Sequence, residues 1–357
     1  MNTEKQQAIP SWRAPSNSCD YSLCSRISFA IQTLGAVAVL VSTSPVAQGY
    51  PKPLCATGRI SKCSVKEQAN AIASVPVMTL SQSASWEFTQ RALDARVVSN
   101  VSLSANTRYE IIGVDNILAE TPGGNPNSIV LFGSHLDSIR GGPGVNDDGS
   151  GAMATLELAY ALSSSSAINK TVQKVRFAWW TAEEIGLIGS TYHVEQLFAK
   201  DPVELAKYKL NIDTDMIASP NYVRGVWDGR NVPDERIRAA GAAIQSVFER
   251  FFAKRGLATV PFAFNGRSDF APFMRRGIPA GGVITGEDEI KSAHEAELFG
   301  GVAGMVLDPN YHQPTDTVES LRGPGRAVLE QNLEALANAL GVFAFHKDLD
   351  AFLRGGR

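Results

Sequence analysis

Short apolar runs alternate with amphipathic segments along most of the chain. Residues 128–133 form a continuous apolar run, which is typical of a short strand buried on both faces. Residues 149–163 follow it, with Met153, Leu156, Ala159 and Tyr160 at helical spacing, and this pattern predicts a helix. The same reasoning predicts strands over 175–180, 209–217 and 280–285, and helices over about 183–197, 234–255 and 326–346.

The segments upstream of residue 128 are less regular. Residues 109–114 and 116–119 are strand-like, and residues 122–126 (PGGNP) carry a turn signal. Residues 50–108 are polar and weakly periodic, as expected of a pro-segment or of an N-terminal part of the domain. The predicted organisation is a leader over 1–49, this segment over 50–108, a main domain over 109–347 and a tail over 348–357.

Buried strands that alternate with helices predict an α/β fold. We expect a mixed, largely parallel central sheet with helices on both faces. Ligands of such sheets bind beyond the carboxyl ends of the strands. Residues 133–151 (GSHLDSIRGGPGVNDDGSG) directly follow the first buried strand and are therefore expected at that edge.

The N-terminus carries an apolar run of its own over residues 27–41. It is shorter than the roughly 20 residues of a membrane-spanning helix, and the small residues Ala47-Gln48-Gly49 follow it. This pattern predicts a secretory signal, with an uncleaved N-terminal anchor as the alternative. Either interpretation places the body of the protein outside the cytoplasm, secreted or periplasmic.

Charge and cysteine content narrow the choice of function. The 357 residues carry a net charge of −3, with no basic run, so nucleic acid is not an expected partner. Cys55 and Cys63 remain after the leader, and a disulfide between them is expected in an oxidising compartment, with two free thiols as the alternative. No G-x-S-x-G, P-loop or strand-linked G-x-G-x-x-G motif occurs in the sequence.

Carboxylates and imidazoles follow the first two predicted strands, lie toward the carboxyl end of a third, and precede the last helix. They are His135, Asp147, Glu183, Glu184, Asp215 and His312. Carboxylates gathered at one edge repel one another and are costly to desolvate. A divalent cation cancels both penalties, and this mixture of nitrogen and oxygen ligands suits Zn²⁺.

Seven motifs in a fixed order carry a family resemblance. They are GSHLDS, GVNDDGSG, RFAWWTAEEIGLIGS, LNIDTDMIASPN, GRSDFAPF, KSA…GG and YHQPTDT. The chain resembles the M28 family of co-catalytic zinc peptidases over roughly residues 116–318, and is most similar to its secreted bacterial aminopeptidases. The resemblance implies the zinc-dependent exopeptidase fold, with residues 109–347 as the peptidase domain.

The resemblance also implies a role for each residue. His135 and Asp215 would bind one zinc ion, Glu184 and His312 the other, and Asp147 both. Glu183 would be the general base for a shared hydroxide, and Asp137 would orient the imidazole of His135. Tyr311 would donate to the developing oxyanion, Arg267 would help to fix the substrate's N-terminal end, and Met216 would contact substrate.

The implied activity is removal of N-terminal residues from peptides, with a preference for bulky apolar first residues. A monomer with peptide substrates, and with no membrane contact apart from an N-terminal anchor, is expected. The alternatives are a glutaminyl cyclase-like or carboxypeptidase member of the same fold, and an inactive binding module.

Some details depart from the family pattern or stay open. The aspartate before Met-Ile can be Asp215, which keeps the downstream match, or Asp213, which lies on the same strand face. Cysteines that flank the final histidine motif in some relatives are absent, so other contacts must hold that loop. The isolated Asp228 and Asp308 are expected at the surface.

Overall fold

The computed structural model describes residues 112–355 without interruption. It also describes residues 35–36, 39–42, 53–55, 58–59, 72–73, 77–80, 82–94 and 102. The chain divides into two compact units, Met1–Glu110 and Ile111–Arg357.

The first unit contains short strands and one helix among its described residues. Val39–Ser42 pairs in parallel with Val77–Leu80, which also pairs antiparallel with Pro53–Cys55. Gly58–Arg59 pairs with Ile72–Ala73, and a helix spans Gln82–Leu93. Most of the apolar run at 27–41 lies outside the described residues, as does Cys63, so the signal and the disulfide stay predictions. Among the helices described, none has the length and apolar character that crossing a bilayer requires.

Seven strands form one sheet within residues 112–355. They are β1 (Ile117–Glu120), β2 (Asn125–His135), β3 (Gln173–Trp180), β4 (Tyr208–Thr214), β5 (Gly225–Trp227), β6 (Val260–Phe262) and β7 (Ala280–Ile284). Their order across the sheet is β6-β5-β7-β4-β2-β3-β1. The four central strands β7, β4, β2 and β3 are parallel, whereas β1 and β5 run antiparallel to β3 and β7. The predicted mixed, largely parallel sheet is confirmed.

Eight α-helices accompany the sheet in the same range. They are α1 (Gly149–Ser163), α2 (Ile188–Lys200), α3 (Pro202–Leu205), α4 (Glu235–Ala253), α5 (Phe270–Arg275), α6 (Ala293–Phe299), α7 (Pro324–Ala344) and α8 (Leu349–Leu353). The helices predicted over 149–163, 234–255 and 326–346 are confirmed, the last two with slightly shifted ends.

The two faces of the sheet are packed separately. Val130 and Phe132 belong to a cluster that includes Leu158 of α1, Phe248 of α4 and Leu336 of α7. Ile129 and Leu131, the alternate residues of β2, belong to a second cluster, with Val194 of α2 and Phe273 of α5. Because side chains alternate across a strand, helices cover both faces, which explains why β2 is apolar at successive positions.

Three local predictions differ from the structure. Residues 112–114 are exposed and form no strand. The second helix begins at Ile188 rather than near Glu183, because Gly186 and Leu187 have positive φ angles of 115° and 56° that interrupt a helical path. Strand β4 ends at Thr214, which leaves Asp215 in the segment that follows it.

Helix α1 is apolar on both sides. Met153, Leu156 and Tyr160, whose spacing predicts the helix, are exposed by 63%, 48% and 66%. The smaller Ala154 and the neighbouring Leu158 face the core instead. Large apolar residues thus predict the helix, but small residues let it approach the sheet.

Gly151 provides a stability test of this close approach. A Cβ atom there would overlap the carbonyl oxygen of Thr214 and the carboxylate of Asp148. We expect Gly151→Ala to lower the free energy of unfolding by about 3 kcal/mol, measured by urea denaturation. At Gly341 of α7 an added Cβ would meet no atom within 4 Å, so Gly341→Ala is the control and should stabilise by about 1 kcal/mol. Equal effects of the two substitutions would contradict the packing argument.

Candidate metal centre

The predicted site residues lie at the carboxyl ends of three neighbouring parallel strands. His135 is the last residue of β2, and Glu183 and Glu184 follow β3. Asp215 comes directly after β4. Asp147 precedes α1, and His312 lies in the loop before α7, so the topology brings residues distant in sequence to one edge of the sheet.

Asp147 joins two groups of potential metal ligands. His135, Asp147 and Asp215 form one group, with ligand atoms all within 4.8 Å of one another. Nε2 of His135 lies 3.1 Å from Oδ1 of Asp147 and 3.6 Å from Oδ1 of Asp215. Asp147, Glu184 and His312 form the second group. Nε2 of His312 lies 3.1 Å from Oδ2 of Asp147 and 3.0 Å from Oε2 of Glu184.

Several of these atoms are buried without a hydrogen-bond partner. They are Nε2 of His135, Oδ2 of Asp147, Oε1 of Glu184 and Oδ1 of Asp215. Buried polar atoms are usually satisfied, and those that are not need another partner, such as an ion. A set of imidazole nitrogens and carboxylate oxygens that converge in this way fits Zn²⁺. The residues present therefore fit a pair of divalent cations that share Asp147.

Charge is concentrated unevenly in the site. Burial would raise the pKa of Asp147, but its contacts with His135 and His312 hold that pKa well below the ordinary value. Burial would lower the pKa of His312, but Asp147 and Glu184 raise it to about 9. Burial raises the pKa of Glu183 to about 10, since the charges of Asp215 and other acidic neighbours outweigh the opposite effect of His135. The site thus holds more negative charge than its imidazoles balance.

Asp137 fixes the ligand segments through the main chain. Its carbonyl oxygen lies 2.8 Å from Nδ1 of His135. A carbonyl can only accept, so Nδ1 carries the proton and the lone pair of Nε2 points into the site. The carboxylate of Asp137 lies farther from this nitrogen, at 3.9 Å, and accepts the main-chain N–H groups of Glu183 and Glu184 at 3.0 and 3.3 Å. The backbone of Asp137, and not its carboxylate as expected, contacts the imidazole.

The structure distinguishes between Asp213 and Asp215. Asp213 lies within β4, and its Oδ2 accepts a hydrogen bond of 2.8 Å from the hydroxyl of Ser268. It belongs to neither ligand group among the described residues, whereas Asp215 lies beside His135. The two aspartates are close in sequence, but β4 ends between them. Asp215 therefore faces the site, whereas Asp213 does not.

Asp148 is a structural residue that the sequence motifs did not single out. Its carboxylate accepts the main-chain N–H groups of His135, Gly151 and Met216, at 3.1, 2.9 and 3.3 Å. One buried side chain therefore connects the end of β2, the start of α1 and the segment after Asp215. Its position beside the potential ligand Asp147 in the NDDG sequence was the available signal.

Two aspartates hold the loop that carries His312. Asp316 accepts the main-chain N–H groups of Asn146 and Asp147, at 2.8 and 3.1 Å. Oδ2 of Asp308 accepts from Nδ2 of Asn146 at 2.6 Å. These contacts hold the loop where some relatives have cysteines. The expectation that Asp308 lies at the surface was wrong, because it is 1% exposed.

The residues expected to contact substrate differ in exposure. The ring of Tyr311 stacks on that of His312 with centroids 3.8 Å apart. Burial and the negative charge of Glu287 raise the pKa of Tyr311, so it remains a neutral phenol. Arg267 lies beside it at the surface. Met216 is 1% exposed and belongs to the buried support of Asp215.

Asp308 provides a test of the loop contacts. Removal of its carboxylate leaves a buried amide of Asn146 without this acceptor. We expect Asp308→Ala to lower the free energy of unfolding by about 2 kcal/mol in urea denaturation. Asp228→Ala is the control, because Asp228 makes an exposed hydrogen bond to Asn231 and should change stability by about 0.5 kcal/mol or less. A negligible effect at Asp308 would contradict a structural role.

Comparisons with known proteins agree with this geometry. Leucine aminopeptidase 2 of Arthroderma otae is 41% identical over 245 residues, which cover 68% of this chain and 48% of that protein. Leucine aminopeptidase 2 of Trichophyton rubrum is 40% identical over 246 residues, 69% of this chain and 48% of that protein. The chain thus spans about half the length of these curated relatives, which are fungal rather than bacterial.

A solved bacterial structure has the same fold. It is a zinc aminopeptidase from Bacillus subtilis, with a TM-score of 0.61 and 22% identity, aligned over 90% of this chain and 67% of that one. Residues 116–337 match the model of peptidase family M28. The chain belongs to peptidase family M28.

Proposed function

We propose that this chain is a metallo-aminopeptidase that uses two zinc ions to hydrolyse the N-terminal peptide bond of peptides. The observation that carries the proposal is the sharing of Asp147 between two ligand groups. The fungal relatives are leucine aminopeptidases by name, which supports the reaction and an apolar first residue. The Bacillus subtilis protein is a zinc aminopeptidase, which supports zinc as the metal.

The two ligand groups define which residues would hold the ions. His135, Asp147 and Asp215 would hold one, and Asp147, Glu184 and His312 the other. A pair of zinc ions there would supply Lewis acidity to the scissile carbonyl and lower the pKa of the attacking water. Asp137 and Asp148 keep the ligand segments in place through main-chain hydrogen bonds.

Glu183 is the proton carrier in this proposal. Its carboxylate is half-buried, and its acidic neighbours Asp215 and Glu184 raise its pKa further. The positive charge of two zinc ions in the ligand groups would oppose this rise, so that the ionised carboxylate can accept a proton. Glu183 takes a proton from the attacking water and delivers it to the leaving amine as the peptide bond breaks. One water is consumed, and a free amino acid and a shortened peptide are formed.

Tyr311 completes the reaction site. Its phenol donates a hydrogen bond to the carbonyl oxygen of the scissile bond, on which negative charge develops. The stacking of its ring on His312 holds it beside the second ligand group. The proposal includes a secreted monomer, and the apolar N-terminal run supports secretion.

The zinc content of variants shows whether Asp213 or Asp215 is the metal ligand. The purified chain, loaded with zinc and dialysed, should retain about two zinc ions by mass spectrometry of the metal. Asp215→Asn should retain about one, since its oxygen faces His135, and the control Asp213→Asn should retain both. Zinc loss in the control alone would transfer the role to Asp213. A single zinc ion in the parent protein would contradict the two-metal site.

Hydrolysis tests the role of Glu183. The zinc-loaded chain should release p-nitroaniline from leucine p-nitroanilide and leave its N-acetylated form intact. Glu183→Gln should lower kcat by about 10³-fold while zinc content is retained, because only the proton carrier is removed. Hydrolysis of the acetylated substrate, or no hydrolysis by a parent protein with two zinc ions, would argue against an aminopeptidase.

A further inference from the structure

A buried carboxylate lies beneath Arg267 at the edge of the site. The side chain of Glu287 is 6% exposed, and its Oε2 lies 2.8 Å from Nη2 of Arg267. Oδ1 of Asp288 accepts from Nη1 of the same guanidinium at 2.8 Å. The two terminal nitrogens of Arg267 therefore each face a carboxylate, Asp288 through a hydrogen bond and Glu287 through an ion pair.

Arg267 also contacts Tyr311. Its Nη2 donates to the hydroxyl oxygen of Tyr311 at 3.0 Å, and its guanidinium carbon lies 5.6 Å from the centre of that ring. An arginine has no acceptor, so the direction of this hydrogen bond is fixed. The hydroxyl oxygen accepts from Arg267, and the single proton of the phenol is left for another acceptor.

We propose that Glu287 and Asp288 are positioning residues that hold Arg267 on the hydroxyl oxygen of Tyr311 and so aim the phenol's proton at the substrate's carbonyl oxygen. The inference rests on the proposed function and extends it to two residues outside the ligand groups. The chain of contacts runs from Glu287 and Asp288 through Arg267 to Tyr311, whose ring stacks on His312.

The contacts of Arg267 favour this role over its expected one. A guanidinium repels a substrate's ammonium group, and this one is already paired with two carboxylates. Lysine could not replace it, because a single ammonium lacks the planar fork that reaches both carboxylates and the phenol. Arg267 therefore acts on the reaction through Tyr311.

A double-mutant cycle on leucine p-nitroanilide tests the coupling. Arg267→Lys and Glu287→Gln should each lower kcat about tenfold, a part of the roughly 100-fold loss expected when Tyr311→Phe removes the donor. KM should change less than twofold. In the Tyr311→Phe background, both substitutions should have no further effect on kcat, because the group through which they act is gone.

Glu249→Gln is the matched control for this cycle. Glu249 pairs with Arg230 through two contacts, one of them 2.6 Å from Nη1, and lies in α4, outside both ligand groups. Its replacement should leave kcat and KM unchanged. If Arg267→Lys instead raises KM equally in both backgrounds, Arg267 binds substrate directly and the inference is overturned.

A second measurement does not depend on activity. Tyrosine labelled with ¹³C at the ring carbon bonded to oxygen gives one NMR signal for each of the 8 tyrosines, and Tyr311→Phe identifies that of Tyr311. Glu287→Gln, Asp288→Asn and Arg267→Lys should each shift this signal, whereas Glu249→Gln should not. An unmoved signal overturns the inference. Failure of the proposed function is recognised separately: the substitutions shift the signal, but the parent protein hydrolyses nothing. This outcome also removes the catalytic part of the inference.

Discussion

Repulsion among buried carboxylates is the constraint on which the site depends. Asp147, Asp215 and Glu184 lie close together at one edge of the sheet, and the imidazoles of His135 and His312 lie against their carboxylates. Water screens such buried charges poorly, so protonation of the carboxyls or cations among their oxygens would stabilise the cluster. The unpartnered atoms and the shifted pKa values have this common cause.

The supporting aspartates also use carboxylates, but these bind main-chain N–H groups instead of facing the site. Asp137, Asp148 and Asp316 each accept main-chain N–H groups from segments that carry ligands. A carboxylate accepts several such hydrogen bonds at once, so one side chain fixes two or three segments together. Ligand positions are therefore set by main-chain contacts that substitution of the neighbouring side chains leaves intact. These acidic residues at the edge of the sheet thus divide into those that face the site and those that fix its backbone.

Most of the architecture could be predicted, since continuous apolar runs and helical spacing follow directly from burial between two helical layers. The position of the site at this edge of the sheet followed from the predicted strand ends. The structure brings together there His135, Asp147, Glu184 and His312. Asp308 could not be found, because a single aspartate in a loop has no local pattern and its partner Asn146 lies 162 residues away. The buried side of α1 was also hidden, because Met153, Leu156 and Tyr160 face outward, whereas Ala154, Leu158 and Leu162 are buried.

The positive φ angles near the site constrain which sequences the fold can accept. Ala182, Met216 and His312 have φ angles of 55°, 49° and 57°, a conformation that costs an ordinary residue about 1–2 kcal/mol relative to a right-handed one. Glycine would remove that cost, but it would also remove the imidazole of His312. The residue that can occupy position 312 is therefore limited by the need for an imidazole rather than by the stability of the fold. Replacement of His312 by glycine would therefore gain stability only with the loss of a nitrogen from the second ligand group.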